Sequence, residues 1–340
     1  MTPRGALWRV AALAAVLGLA VVTSGRAGPS EAACHGTMQL AYGDGRIVVV
    51  DADGTHSRQL THPPAGYGDG YPSWSPDGKR IAFERDHIDS NSFAVDGSVY
   101  TMGADSSDLR LWAPGGLDPL WSPSGKQILF VTTTGHDNFW NVIGADRKTR
   151  PAVLTWETRD ASWSPDGRHI VIGMWHGGLD VVNADGTDPR NVTHESADWV
   201  AWSPDGRRIA FSDEDASGIS TGLVVVGADG RGRRLVVHGR ATAPAWSPDA
   251  TRLAYVGSNG VGVVNADGSG RKWVPISFSF ANTPAWSPDG AWIAFMVTDS
   301  YTSSFSVYLM KPDGTGMHKL QKITRNNAIG GRVNWRPCTT

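Results

Sequence analysis

The sequence predicts an all-β fold, a seven-bladed β-propeller built from four-stranded antiparallel blades, with a six-bladed ring as the alternative. Three observations predict it. A string beginning Trp-Ser-Pro recurs at Trp74, Trp121, Trp163, Trp202, Trp246 and Trp286, with a degenerate Trp-Arg-Pro copy at Trp335, at intervals of 39–49 residues. A second string, usually Ala-Asp-Gly, falls between the copies and places aspartates at Asp53, Asp105, Asp146, Asp185, Asp229, Asp267 and Asp313. The 340 residues include 41 Gly and 20 Pro, which implies many turns and short strands. A period of about 40–45 residues is the mark of blades repeated around an axis.

Each unit reads as four short strands. Strand a runs into the Trp, as in 71–74. Ser-Pro-Asp-Gly then turns the chain, with Pro setting φ and Asp and Gly supplying the local bond and the left-handed position. Strand b follows, as in 79–83, with apolar residues alternating. Strand c runs into the Ala-Asp-Gly turn, as in 224–230, and strand d is short, as in 233–236. No amphipathic helix is read after residue 27. The chain enters on strands b, c and d (38–60) and ends on a lone strand a (332–335). Joined, these complete one split blade and leave no open sheet edge.

The N-terminus carries Arg4 and Arg9, then an apolar run over 10–22, then small and polar residues to 33. That is the pattern of a secretory leader, and the run falls short of the ~20 residues a membrane-spanning helix needs. We read residues 1–27 as a signal peptide cleaved after Ala27, 28–37 as a lead-in and 38–340 as a single propeller domain. The mature protein is then secreted, to the periplasm or the exterior, where disulfides persist. Cys34 stands just before the first strand and Cys338 just after the last, so a closed ring predicts a Cys34–Cys338 bond clamping the split blade. Lipid attachment at Cys34 is the competing reading, but Glu31 stands where a lipoprotein signal prefers Leu.

Composition and motifs exclude several functions. Lys plus Arg is 31 against 33 Asp plus Glu, without the basic excess of a general nucleic-acid binder. Two cysteines exclude a multi-cysteine zinc module. There is no Gly-x-Ser-x-Gly elbow and no phosphate-binding glycine-lysine loop. His194-Glu195-Ser196-Ala197-Asp198 begins like a zinc-protease motif but ends in Asp and lies in a loop.

The stretch Trp-Ser-Pro-Asp-Gly-Lys-Arg-Ile-Ala-Phe at 74–83, with Asn-Ala-Asp-Gly at 183–186 and 265–268, resembles the TolB-type, WD-like propeller repeat. The resemblance covers nearly all of the chain after the leader. It implies a propeller like that of the family's namesake, a periplasmic protein that binds partner proteins in a cell-envelope complex. The namesake has six blades behind an α/β domain; here seven repeats fill 38–340, so the resemblance is to the propeller alone.

Topology divides the predicted ring into two faces. The a–b and c–d turns share one face, and their recurrent Asp residues read as turn formers. The b–c and d–a loops share the other face and differ from blade to blade, as functional loops on a scaffold do. We expect its longest loop at 84–98, with Arg85, Asp86 and His87, then 212–221 with Asp213, Glu214 and Asp215, and 298–304 with Tyr301. The d–a loops add Tyr67, Asp69, Asp118, Glu157, Arg159, Asp160, His194, Glu195, Asp198, Arg240 and Arg325. No catalytic residue and no cofactor is assigned. The acid excess suits a partner with basic groups, or a divalent cation such as calcium. The expected function is binding of an envelope or extracellular protein, or a glycan, by a monomeric chain. The alternative is a carbohydrate-active lyase or hydrolase with its site at the channel mouth.

Overall fold

A computed structural model describes residues 37–88, 94–134, 137–144, 149–151, 158–174, 177–215, 217–276, 279–299, 305–323 and 332–338. These residues form seven four-stranded antiparallel sheets and no helix.

Blade 1 is the split one: strand a is Asn334–Trp335, b Gln39–Gly43, c Ile47–Asp51 and d Arg58–Gln59. Leu40 pairs with Trp335 and Ala41 with Asn334, so the last strand of the chain completes the sheet of the first three. Blade 2 runs through Tyr67–Trp74, Arg80–Ile88, Ala94–Gly103 and Arg110–Pro114, and blade 3 through Leu117–Trp121, Gln127–Thr134, Asp137–Gly144 and Thr149–Pro151. Blade 4 is Thr158–Trp163, His169–Met174, Gly178–Asn183 and Arg190–Thr193. Blade 5 is Ala197–Trp202, Arg208–Glu214, Ser220–Gly227 and Arg234–His238. Blade 6 is Thr242–Trp246, Arg252–Gly257, Gly260–Asn265 and Lys272–Pro275, and blade 7 is Ser279–Trp286, Ile293–Asp299, Phe305–Met310 and His318–Ile323. Every strand a ends at a motif Trp. Strand a touches strand a of the next blade at six of the seven seams, blade 7 to blade 1 and blade 1 to blade 2 included, and at the seam of blades 3 and 4 strand c of blade 3 touches strand a of blade 4, so the ring closes with seven blades.

The repeated residues build the turns and the seams. Ser75, Ser164, Ser203, Ser247 and Ser287 each donate a hydroxyl bond to the Asp two residues on, and that Asp accepts the backbone N–H two residues further. In the c–d turns, Asp53, Asp105, Asp185, Asp229, Asp267 and Asp313 accept the backbone N–H two residues on. Gly78 (φ 63°) and Gly206 (φ 74°) supply the left-handed fourth residue of their turns. The two kinds of turn lie on one face and bond to each other, as in Ala228 N–H to Arg207 C=O at 2.8 Å.

Six of the seven motif Trp residues are buried between blades, and Trp121 is half-buried. The indole N–H of Trp163, Trp246, Trp286 and Trp335 donates to Leu120, Ala201, Ala245 and Ala285 respectively, at 3.0–3.3 Å. Each acceptor is the residue before the Trp of the preceding blade. The core is therefore a circle of inter-blade clusters, such as Ala201, Tyr255, Trp246, Trp286 and Phe295, built from alternating apolar positions of adjacent sheets.

Among the described residues no helix is long and apolar enough to cross a membrane. The expected leader, residues 1–27, and Cys34 lie outside the described residues. Among the described residues no cysteine is free.

Candidate functional site

Strand a is the inner strand of each blade, so its residues form the channel wall. Five of the seven inner strands carry an irregularity just before the Trp, for example between Gly70 and Ser73, Leu117 and Leu120, and Asp198 and Ala201, and blade 4 carries one further back, between Thr158 and Asp160. A bulge there re-aims one side chain per blade. The position three residues before the Trp holds Arg332, Tyr71, Asp118, Asp160, Trp199, Ala243 and Thr283, in order around the ring. Tyr71, Asp118, Trp199 and Ala243 adopt φ of 50–52°, a left-handed backbone that costs non-glycine residues energy and marks the level as specially shaped.

Two charged clusters occupy this level. In the first, Arg332 of blade 1 forms an ion pair with Asp118 of blade 3, both nearly fully buried. The backbone N–H of Asp118 donates to Glu84 of blade 2 at 2.7 Å. Burial pushes the Glu84 carboxyl up to about 7, against the opposing effects of Asp86 and Arg332. Burial also lowers Arg332 to about 10 and raises the Tyr71 phenol well above its ordinary value. In the second, Asp160 accepts the N–H of Val200 from blade 5 at 2.7 Å and that of Ala161 at 2.8 Å. Burial, then Asp198, raises Asp160 well above the carboxylate range. Burial, then Glu214, raises Asp198 to about 7.

The expected loop at 84–98 is corrected by the structure. Strands b and c of blade 2 run on, with Arg85 opposite Ser98 and His87 opposite Asp96, so Arg85, Asp86 and His87 are strand residues. The physical reason is pairing: each strand extension satisfies backbone groups that a long loop would leave to solvent. Arg85 makes a bidentate bond to the buried Asp69 at 2.6 and 2.8 Å and lies 4.9 Å from the Tyr100 ring. Asp86 is fully buried and Arg159 nearly so. Asp69, Asp118, Asp160 and Asp198, expected in d–a loops, belong to inner strands. Asp213 and Glu214 likewise end strand b of blade 5.

Other candidates do reach the surface. Tyr67 is 43% exposed and meets the exposed His87 edge-on at 5.2 Å. His194, Glu195 and Asp215 are exposed, and Arg233 pairs with Glu195 and, at 3.5 Å, with Asp213. Glu157, Tyr301 and Arg325 lie outside the described residues. Among the described residues no three His, Cys, Asp or Glu side chains are placed to hold a metal ion. The reading of single loops missed Arg332, Tyr71 and Trp199. Counting three residues back from every motif Trp places all three in one column.

No family model matches the chain, and no curated protein is similar to it in sequence. The fold is that of solved propellers. TolB from Acinetobacter baumannii superposes with a TM-score of 0.53 at 17% identity over 71% of this chain, and the chain spans 64% of the length of that protein. The periplasmic gluconolactonase of Pseudomonas aeruginosa gives 0.61 at 14% identity, over 89% of this chain and 100% of that one. An oligogalacturonate lyase solved in complex with manganese gives 0.59 at 12% identity, over 84% and 85%. At these identities the likeness defines the class of protein by fold alone. The chain is a TolB-like, seven-bladed β-propeller.

Proposed function

We propose that this protein is an interaction module of the cell envelope or exterior, binding a protein or a glycan through its b–c and d–a loop face. The observation that carries the reading is how the polar residues divide. The charged residues of the channel wall are committed to internal pairs, while the same face keeps Tyr67, His87, His194 and the 59% exposed Ile219 at its surface. Exposed apolar and aromatic groups at blade-specific strand ends and loops suit contact with a partner. Likeness to TolB and to a periplasmic gluconolactonase supports an envelope location, and the leader pattern of residues 1–27 agrees with it. Substituting Tyr67→Ala, His87→Ala and Ile219→Ala together is expected to abolish partner capture without unfolding the ring. Undiminished capture by the folded triple variant sinks the proposal.

A second reading has its own observation. Asp198 of the channel wall and Glu84 of the strand behind it are both raised to about 7, where a general acid or base works at neutral pH. Likeness to a gluconolactonase and to an oligogalacturonate lyase makes lactones and uronic oligosaccharides the substrates to screen. Turnover lost in both Glu84→Gln and Asp198→Asn favours an enzyme.

A further inference from the structure

The seams between blades differ in one repeated detail on the turn face. At the seam of blades 5 and 6, Arg208 lies 4.8 Å from the ring of Trp246, and its guanidinium donates to Ala250 C=O at 2.6 Å. At the seam of blades 6 and 7, Arg252 lies 4.8 Å from the ring of Trp286. At the seam of blades 1 and 2, Arg336 lies 5.2 Å from Trp74 and donates to Gly78 C=O at 3.0 Å. Gly78 and Ala250 are both the fourth residue of a Trp-linked turn. The protein thus uses one device at three seams: a guanidinium laid over the motif indole and, at two of them, bonded to the turn carbonyl.

Blades 3 and 4 lack that arginine. The residue aligned with Arg208 and Arg252 is Gln127 in blade 3 and His169 in blade 4. His169 stacks near-parallel to Trp202 at 6.4 Å, but its ring is shorter than an arginine and carries no fork of donors. Trp202 is altered too. Its indole N–H turns to Gly206 C=O of its own turn at 3.0 Å, where the other four described indole bonds cross to the preceding blade. A cleft of about 750 Å³ opens across the turns of blades 3, 4 and 5, with His169 and Trp202 in its lining. Pro165, Asp166 and Asp205 form its walls, and Arg190 lies at its outer side. Arg190 is committed to Ala228 C=O at 2.9 Å, and Asp205 lies 3.5 Å from the guanidinium of Arg208. Burial raises Asp166 and Asp205, but the Ser164 and Ser203 hydroxyls and the turn N–H groups outweigh it and hold both below the ordinary range.

We propose that this cleft is a binding site for a guanidinium group, the arginine side chain of a partner polypeptide, inserted where the protein's own arginine stands at the three seams of Trp74, Trp246 and Trp286. It lies on the face opposite the loop face and does not depend on the reading given above. The inserted group would stack against His169 and Trp202 and place its charge between Asp166 and Asp205.

The test is calorimetric titration of the purified full chain with acetyl-Gly-Arg-Gly-amide, its Lys counterpart and free arginine. Three proteins are compared: wild type, His169→Arg and Asp166→Asn/Asp205→Asn. His169→Arg rebuilds the plug seen over Trp246 and Trp286 and should stay folded, with an undiminished melting temperature. The expected result is saturable binding of the Arg peptide by wild type, weakened about tenfold or more in both variants. No binding by wild type overturns the proposal, as does equal binding by folded His169→Arg. A Lys peptide that binds as well as the Arg peptide overturns the guanidinium assignment. Free arginine binding as tightly as the peptide overturns the polypeptide partner in favour of a small molecule.

Discussion

Arg332 and Asp118 form an ion pair that reaches across a whole blade, from blade 1 to blade 3, over Tyr71 of blade 2. Both lie three residues before a Trp of the repeat, and both are almost fully buried. The pair ties the end of the chain to its middle at the level where the inner strands bulge. Removing one partner leaves a buried charge alone, so Arg332→Leu should cost about 3–5 kcal/mol. The double variant Arg332→Leu/Asp118→Leu should recover most of that loss. Urea unfolding of the three proteins measures it, and additive losses would show that the two side chains do not act as a pair.

Glu84 and Asp198 predict the pH dependence. Both carboxyls are raised to about 7 in the folded state, against ordinary values of 4.5 and 3.8. The native state therefore holds these protons more tightly than the unfolded chain. Their contribution is fully present below the ordinary values and is lost as pH rises through about 7. The melting temperature should fall between about pH 4 and pH 7 and level off above, and Glu84→Gln should flatten that fall. An identical slope in wild type and Glu84→Gln would contradict the assignment.

The seams predict unequal costs for tryptophan substitutions. Trp246 donates to Ala201 across the seam and lies beneath Arg208, whereas Trp202 bonds within its own turn. Trp246→Phe loses an inter-blade bond and a cation–π contact, together about 1–2 kcal/mol beyond the lost packing. Trp202→Phe also loses a hydrogen bond, to Gly206, but no cation–π contact, and should cost less by about 0.5–1 kcal/mol. Chemical denaturation of the two variants compares them directly.

The split blade predicts a covalent clamp. Strand a of blade 1 holds only two residues, Asn334 and Trp335, in the sheet. We propose that Cys34 and Cys338 are bonded in the mature protein. Intact mass before and after reduction should differ by about two hydrogens, and Cys338→Ser should lower stability by about 2–5 kcal/mol. A free-thiol titre of two in the native protein rules the bond out.

Much of the fold was legible in the sequence because the repeat is local chemistry. Ser-Pro-Asp-Gly specifies its own turn through Ser75 and Asp77, and a Trp at fixed phase marks the end of every inner strand. The split blade followed from the phase of the two ends. The site was less legible. Asp86, Arg85 and Arg159 look like loop charges in one dimension, yet pairing and burial place them inside. Their partners, Asp69 for Arg85 and Asp118 for Arg332, come from other strands, and no spacing rule within a single loop encodes such pairs. The column three residues before the Trp was readable only by stacking all seven repeats.

The most direct test of the central claim uses a photo-crosslinking amino acid placed at Tyr67 or Ile219 on the loop face, and at Lys79 in an exposed a–b turn as control. The tagged protein is irradiated in its native envelope and medium, and adducts are identified by mass spectrometry. The account predicts one recurrent partner captured from Tyr67 and Ile219 and not from Lys79. A partner captured from Lys79 alone, or none from the loop face alongside turnover of a sugar substrate, would contradict it.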